Sequence, residues 1–387
     1  MSVTASVYLD YNAGAPARPE VVAAMADMLA LGGNPSSVHC FGRRARAHLE
    51  QARRDVAQAI DADPAGIVFT SGGTEANALA LRGAGRSRVL VSAVEHPSVL
   101  EAGAAERIPV TGDGIVDVSA LQRMLEDDDR PALVSVMLAN NETGILQPLA
   151  EVVRLAHAHG ALVHCDAAQG LGRLPVFLSD LGVDFLTLSA HKMGGPAGIG
   201  CLATSKPDIS LAPILLGGGQ EKRRRAGTEN LAGIVGFAVA AQLAAAEVKG
   251  GDGPAAMRKL RDELEARLAV SLPEVVVVGR SMPRLCNTSC LILPRVSAQV
   301  QVMALDLAGV MVSAGAACSS GKVAASHVLA AMGLDQGMAG CALRVSLGPQ
   351  SRAADIEAFL SAWGDFAHRT GRNSQGRGLV AALSERT

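Results

Sequence analysis

The stretch "VDFLTLSAHKMGG", residues 183–195, decides how the rest of the chain is read. Its first part is an apolar run that reads as a buried strand, and Lys192 follows just ahead of Gly194, Gly195 and Pro196. An ammonium is rarely taken out of water without a partner or a task, so a lysine at the end of a core strand needs explaining. Similar runs flank it: "GIVFT" (66–70), "RVLVS" (88–92), "ALVSVML" (132–138), "ALVHCD" (161–166) and "GIGCLAT" (198–204). Helical patterns such as "GTEANALALRGA" and "LAEVVRLAHAHG" lie between them. Apolar strands alternating with helices predict an α/β unit, a mainly parallel sheet covered on both faces. Ligands of such sheets sit at the C-terminal strand ends. The polar tails "TSGGT", "SAVEH", "ANNE", "CDAAQ" and "SAHK" then converge on one crevice.

At 387 residues the length suggests two structural units. Hydrophobic residues make up 49% and charged residues 19%, enough for a sizeable core and against general disorder. With aromatics at 3%, that core is built from Ala, Val, Leu and Ile. A net charge of −2 gives no footprint for nucleic acid or an anionic membrane, and neither partner is expected. "EKRRR" (221–225) reads as a solvated loop. The opening "MSVTASVYLDYN" has no basic run followed by an apolar one, so no secretory leader is expected. "LAGIVGFAVAAQLAAA" (231–246) is interrupted by Gln242 and reads as a buried helix, not a membrane span. Seven scattered cysteines without a CxxC pair read as reduced thiols in the cytoplasm. His157, His159, His164 and Cys165 match no zinc spacing, and no metal is expected.

Beyond about residue 250 the pattern changes. "GGDGPAA" reads as a linker, and "MRKLRDELEARL", "VVVVG", "TSCLIL", a helix near 298–309, "CALRVSL" and a last helix near 352–368 predict a smaller α+β unit. The final "GRNSQGRGLVAALSERT" reads as a loosely held tail.

Asp166 ends the strand "ALVHCD", where its charge needs a cationic or hydrogen-bonding partner. With Lys192 it forms either a structural ion pair or a pyridoxal phosphate site, in which lysine binds the cofactor aldehyde and aspartate keeps the pyridine nitrogen protonated. In "TSGGTEANAL", Gly72, Gly73 and Thr74 open a helix, either as a plain cap or as a phosphate site. His96 in "SAVEHP" is placed to lie on an aromatic ring, to shuttle protons or simply to pack. Asn141 in "ANNETG" offers an amide to a ring oxygen or a carboxylate.

Ten motifs occur in one order: "YLDYNAGAP", "GNPSSVHCFG", "FTSGGTEANALA", "VEHPSV", "NNETGILQP", "HCDAAQGLGRLPV", "SAHKMGGPAGIG", "RAGTEN", "SAGAACSSG" and "LRVSLG". Together they resemble the pyridoxal-phosphate cysteine desulfurases of the class-V aminotransferase family, the group with the nitrogen-fixation and general iron–sulfur-assembly enzymes, over roughly residues 7–360. The resemblance implies an aspartate-aminotransferase-like fold of type I. Its large domain (15–250) carries a mainly parallel seven-stranded sheet; residues 1–14 and 251–370 form the smaller α+β domain, and 371–387 the tail. It implies that Lys192 is the Schiff-base residue, that Asp166 pairs with the pyridine nitrogen, and that Gln169 and Asn141 serve the ring hydroxyl side. His96 stacks on the ring; Gly73, Thr74, Ser189 and His191 bind the phosphate. Thr228 completes that cup from the other subunit of a homodimer, while Asn34 and Arg344 hold the substrate carboxylate.

Cys318 in "VSAGAACSSGK" lies among small residues and glycines, the composition of a mobile exposed loop. Cys165, Cys201, Cys290 and Cys341 lie in apolar runs where a thiol is an inert hydrophobe, and Cys286 flanks another. The resemblance therefore implies conversion of L-cysteine to L-alanine, with the sulfur held on Cys318 as a persulfide and passed to an acceptor such as an iron–sulfur cluster scaffold. An aminotransferase, β-lyase or selenocysteine lyase on the same scaffold, or a non-catalytic sulfur relay, are the alternatives, because a scaffold does not fix a reaction.

Overall fold

The computed structural model describes residues 6–315 and 325–384, with side chains described up to residue 370. Its centre is a seven-stranded sheet in the order Ile67–Thr70, Gly200–Thr204, Phe185–Ser189, Leu162–Asp166, Ala132–Ser135, Arg88–Ser92 and Glu106–Ile108. Gly200–Thr204 runs antiparallel to both its neighbours, and the remaining pairings are parallel. Successive residues along a strand face opposite sides. Thus Leu133 and Phe185 join the core under helix Gly73–Gly83, whereas Val134 and Leu186 join the core under helices Cys40–Ala59 and Leu231–Gly250. Both faces are covered, which is why these strands carry no polar alternation.

A second core gathers Leu9, Met257, Leu264, Leu291, Leu343, Phe359 and Trp363. Beside it lies an antiparallel sheet in the order Ser313–Ala314, Ala342–Ser346, Thr288–Ile292, Val276–Val277. Strand Val7–Tyr8 pairs in parallel with Val310–Met311, which brings Leu9 into this core. Trp363 is fully buried and its indole donates to Gln301 Oε1 at 3.0 Å.

Three sequence expectations need correction. The "GGDGPAA" linker is a single residue: helix Leu231–Gly250 ends and helix Asp252–Ser271 begins at Gly251, whose φ of 80° turns the chain in a conformation that suits glycine. Strand Glu106–Ile108 adds an edge that the apolar runs do not mark, because Glu106 and Arg107 are exposed there. "EKRRR" is not a solvated loop throughout. Glu221 is buried, receiving both guanidinium nitrogens of Arg53 at 2.7 and 2.8 Å and the Phe69 amide at 2.9 Å.

Helix Leu231–Gly250 is long and apolar enough to cross a membrane by length and composition. It is packed against helices Pro19–Leu31 and Cys40–Ala59, and Gln242 Nε2 donates to the Asp55 carbonyl at 2.6 Å.

The Arg53–Glu221 pair also holds Glu221, Lys222 and Arg223 at φ of 43°, 56° and 66°, a strained run for three residues with a Cβ. Arg53→Met leaves Glu221 buried without its cation. Urea denaturation is expected to show a loss of about 3–5 kcal/mol, with most of it recovered in Arg53→Met/Glu221→Leu.

Candidate active site

Apart from Glu106–Ile108, the parallel strands of the large sheet deliver polar groups to the same edge. Thr70 leads to Gly72 and Gly73, Ser92 to His96, Asp166 to Gln169, and Ser189 to Lys192. From Ser135 the backbone continues beside its neighbour, Val136 and Leu138 donating to the carbonyls of His164 and Asp166, and reaches Asn140 and Asn141.

Lys192 and Asp166 make no ion pair. Lys192 Nζ donates to the carbonyls of Asn12 at 2.7 Å and Ala13 at 2.9 Å. Burial, followed by the charges of Arg344 and Arg173, brings its pKa down to about 8, against the pull of Asp166 and Asp10. Asp166 is buried and accepts from Asn77 Nδ2 at 2.7 Å and from the Ala168 amide at 2.9 Å. Among the described residues no cation lies within ion-pair distance of it, so this buried carboxylate still has room for a charged donor. A protonated pyridine nitrogen is such a donor.

The phosphate end fits as well. Helix Gly73–Gly83 has no side-chain cap, and Gly72, at φ 148° and ψ −179°, holds a conformation essentially reserved for glycine. Strand Gly200–Thr204 passes directly beneath: a Cβ at Gly200 would stand 2.8 Å from the Gly72 backbone. Uncapped N–H groups and the helix dipole suit an anion. Ser189 is buried within reach, its Oγ 3.9 Å from where a Cβ on Gly73 would be. His191 is pushed down to about 4 by burial and then by Lys192, which leaves it neutral. Thr74 and Thr228 are both exposed, and Thr228 lines a cleft with Thr70, Ser71 and Arg225.

His96 caps the short helix Pro97–Leu100 through Nδ1, which lies 3.1 Å from the Ser98 amide and 2.8 Å from Ser98 Oγ. It keeps a solvent-accessible face, yet desolvation outweighs the charge of Asp166 and lowers its pKa, with Lys192 and His327 adding to the effect. Gln169 donates to the Asn12 carbonyl at 3.0 Å, and its side-chain oxygen receives Arg173. Arg344 donates to the Asn141 carbonyl at 3.0 Å and to Asp10 at 2.7 Å, while its Nε has no partner. Asn34 is exposed and bonds only to its own turn, at Ser36 and Ser37. Cys318 lies outside the described residues.

Several groups escaped the sequence reading. Asn77, one helical turn beyond Gly73, holds Asp166; its spacing from the glycines was a signal in the quoted motif. Arg173 is buried without a carboxylate, donating to the carbonyls of Gln169 at 2.9 Å, Tyr11 at 3.3 Å and Lys192 at 3.4 Å, and burial lowers its pKa to about 10. Asn12 accepts both Lys192 and Gln169 on its carbonyl, something no periodicity announces. The histidines near 160 diverge: His157 pairs with Asp184, and His164 is buried between Ser135 and Thr187. Burial raises the thiols of Cys165, Cys201 and Cys286, and pushes Cys290 up to about 12, so none of these is a ready nucleophile.

The family description "Aminotransferase class-V" matches residues 7–359. A cysteine desulfurase of Cereibacter sphaeroides is 43% identical, the match covering 92% of this chain and 94% of that protein. One from Klebsiella pneumoniae is 40% identical, covering 92% and 91%. Among solved structures, a NifS-like protein from Rickettsia africae is similar with a TM-score of 0.87 and 34% identity, over 93% of this chain and 99% of that one. An edge where a lysine of lowered pKa, a cation-free carboxylate and an uncapped helix converge is what pyridoxal phosphate requires, and the chain belongs to the class-V aminotransferase family, in its cysteine desulfurase branch.

Proposed function

We propose that this cysteine desulfurase moves the sulfur of L-cysteine onto its own Cys318, leaving L-alanine, with Lys192 as the residue that holds the cofactor and handles the Cα proton. The observation that carries the proposal is Lys192 itself. Its amine rests on two carbonyls beside Asp166, and two nearby arginines favour its neutral form.

Pyridoxal phosphate, when bound, supplies an electron sink for the breaking Cα–H bond. Asp166, positioned by Asn77 and the Ala168 amide, keeps a proton on the pyridine nitrogen. Gln169 and Asn141 would serve the ring hydroxyl side and His96 would stack on the ring. Gly73, Thr74, Ser189 and His191 would hold the phosphate. Arg344 binds the substrate carboxylate together with Asn34, which the exposed 34–37 turn must bring inward. Lys192, as a neutral amine, takes the Cα proton and returns one. The Cys318 thiolate then attacks the substrate sulfur. The Cβ–S bond breaks, Cβ gains a proton, and a thiol plus L-cysteine become a persulfide plus L-alanine, without any further reactant.

Thr228, exposed at a cleft beside Ser71, serves the phosphate of a second copy, which makes the enzyme a homodimer. Residues 15–250 form the cofactor unit, and 1–14 with 251–370 the companion unit. The persulfide passes in the cytoplasm to an acceptor protein, such as an iron–sulfur cluster scaffold.

Cofactor-free protein is expected to fix pyridoxal phosphate on Lys192 faster as pH rises through about 8, because only the neutral amine reacts. Borohydride trapping and peptide mapping across pH measure this. A midpoint at the ordinary 10.5, or trapping at another lysine, contradicts the assignment. For Cys318→Ser, unchanged visible absorbance and continued exchange of Cα deuterium are expected, with alanine formation abolished. A wild-type yield of alanine removes Cys318 as nucleophile. Sedimentation of the holoenzyme is expected to give a dimer, and a fully active monomer sinks the role of Thr228.

A further inference from the structure

Two adjacent residues, Ser326 and His327, touch the crevice wall at separate points. Ser326 Oγ donates to Glu142 Oε2 at 2.5 Å, and both residues are buried. His327 Nε2 lies 2.9 Å from the Glu95 carbonyl oxygen. A carbonyl only accepts, so this nitrogen carries a proton. The partners are 184 and 232 residues away in sequence, so neither contact is a by-product of local chain folding. Each lands one residue from a proposed cofactor-site side chain, since Glu142 follows Asn141 and Glu95 precedes His96.

Glu142 also meets the other shoulder. A Cβ placed on Gly315 would stand 3.2 Å from Glu142 Oε2, and the Gly315 amide donates to the Ala342 carbonyl at 3.1 Å. The carboxylate thus lies between the strand Ser313–Ala314 and the helix His327–Ala331, which Ser326 caps through the Leu329 amide at 3.1 Å. A single hydrogen bond leaves rotation about itself. Two bonds from consecutive residues to two different strand ends do not.

We propose that Ser326–Glu142 and His327–Glu95 form a two-point clasp that fixes the start of the helix His327–Ala331 against the crevice, so that Ser326 and His327 are positioning residues for the sulfur-transfer step and not for cofactor binding. The inference rests on the reading above, in which the chain between these shoulders carries the sulfur-accepting thiol. The Glu142 carboxylate has its hydroxyl donor, but apart from that bond and the charge of Arg344 nothing offsets its burial, which pushes its pKa up to about 7. Removing Ser326 Oγ therefore leaves a buried acceptor unsatisfied, while the crevice floor of Asp166, Asn77 and Lys192 is untouched.

The test uses holoenzyme of Ser326→Ala, His327→Ala and the double variant, with Ser326→Thr and His327→Gln as conservative controls. Visible absorbance, exchange of Cα deuterium and alanine formation are measured on each. Expected is a loss of alanine formation of about tenfold or more per site, the scale of a charge-assisted or buried hydrogen bond, with absorbance and exchange retained and both conservative variants recovering. His327→Ala leaves the helix cap intact, so a folding defect in Ser326→Ala does not hide the answer. Wild-type alanine formation in the double variant overturns the clasp, and so does a parallel fall of exchange and alanine formation. Cys318→Ser is run alongside. If it makes alanine at the wild-type rate, the nucleophile reading falls and the clasp with it; if it collapses while the clasp variants do not, the clasp alone is overturned.

Discussion

Asn12 is 1% exposed, and its hydrogen-bonding groups are engaged on every side. Its carbonyl accepts Lys192 Nζ and Gln169 Nε2, its amide donates to Ser346 Oγ, and its Nδ2 donates to Thr288 Oγ1 at 2.9 Å and the Asn141 carbonyl at 3.2 Å. Its Oδ1 accepts from Asn287. One residue near the start of the chain therefore joins the catalytic edge of the seven-stranded sheet to strands Thr288–Ile292 and Ala342–Ser346 of the smaller one. Buried polar groups are costly when unpaired, so a network this complete has one arrangement and little freedom around it. An aspartate here would aim carboxylate oxygens at the Asn141 carbonyl and lose both donors. The position of Lys192 depends on that arrangement, because the carbonyl of Asn12 is half of what holds its amine.

The crevice treats its charges unequally. Arg53 and Glu221 meet as a bidentate pair at the edge of the cleft that Thr228 lines, in the manner of a structural contact. Arg173 and Lys192 instead rest on carbonyls, and Asp166 on an amide and a backbone N–H. Neutral partners satisfy the geometry of an ion without neutralising it. The unspent electrostatic field is available to a cofactor or a substrate, and after burial the charges of Arg344 and Arg173 help to lower the pKa of Lys192 to about 8.

The strands were the most legible part of the fold. "RVLVS" is the strand Arg88–Ser92 residue for residue, since both faces are covered and the apolar run has no reason to stop early. "ALVSVML" runs three residues past the strand, because the Met137 amide leaves the sheet ladder for Glu95 Oε1 at 2.6 Å, while Val136 and Leu138 stay paired and the side chains stay buried. Lys192, Asp166 and the glycine turn stood out because each breaks a local rule: a charge at a core strand end, or glycines at a helix start. Asn77, Arg173 and Asn12 broke none. An asparagine inside a helix or a turn is ordinary, and their contacts span 89, 162 and 180 residues, a separation that local pattern does not encode. The burial of Glu221 is hidden for the same reason, its partner Arg53 lying 168 residues away.

The placement of Arg344 gives the proposed reaction an order. In the protein without substrate, Arg344 shares its guanidinium between Asp10 and the Asn141 carbonyl, and its positive charge, after burial, is the main influence lowering the pKa of Lys192. A substrate carboxylate bound to Arg344 offsets that charge, and the lysine's proton affinity then rises. The same arginine thus favours a neutral, reactive amine while the site waits for cofactor and substrate, and a stronger base once the substrate carboxylate has arrived. The change in base strength comes from charge compensation alone, with the backbone of Asn12 and Ala13 fixed throughout. A lysine paired directly to a carboxylate behaves otherwise: its charge is locked in before substrate arrives. The sequence places Lys192 and Asp166 on adjacent strands, yet the fold keeps them out of ion-pair contact, and that separation is what leaves the amine able to respond.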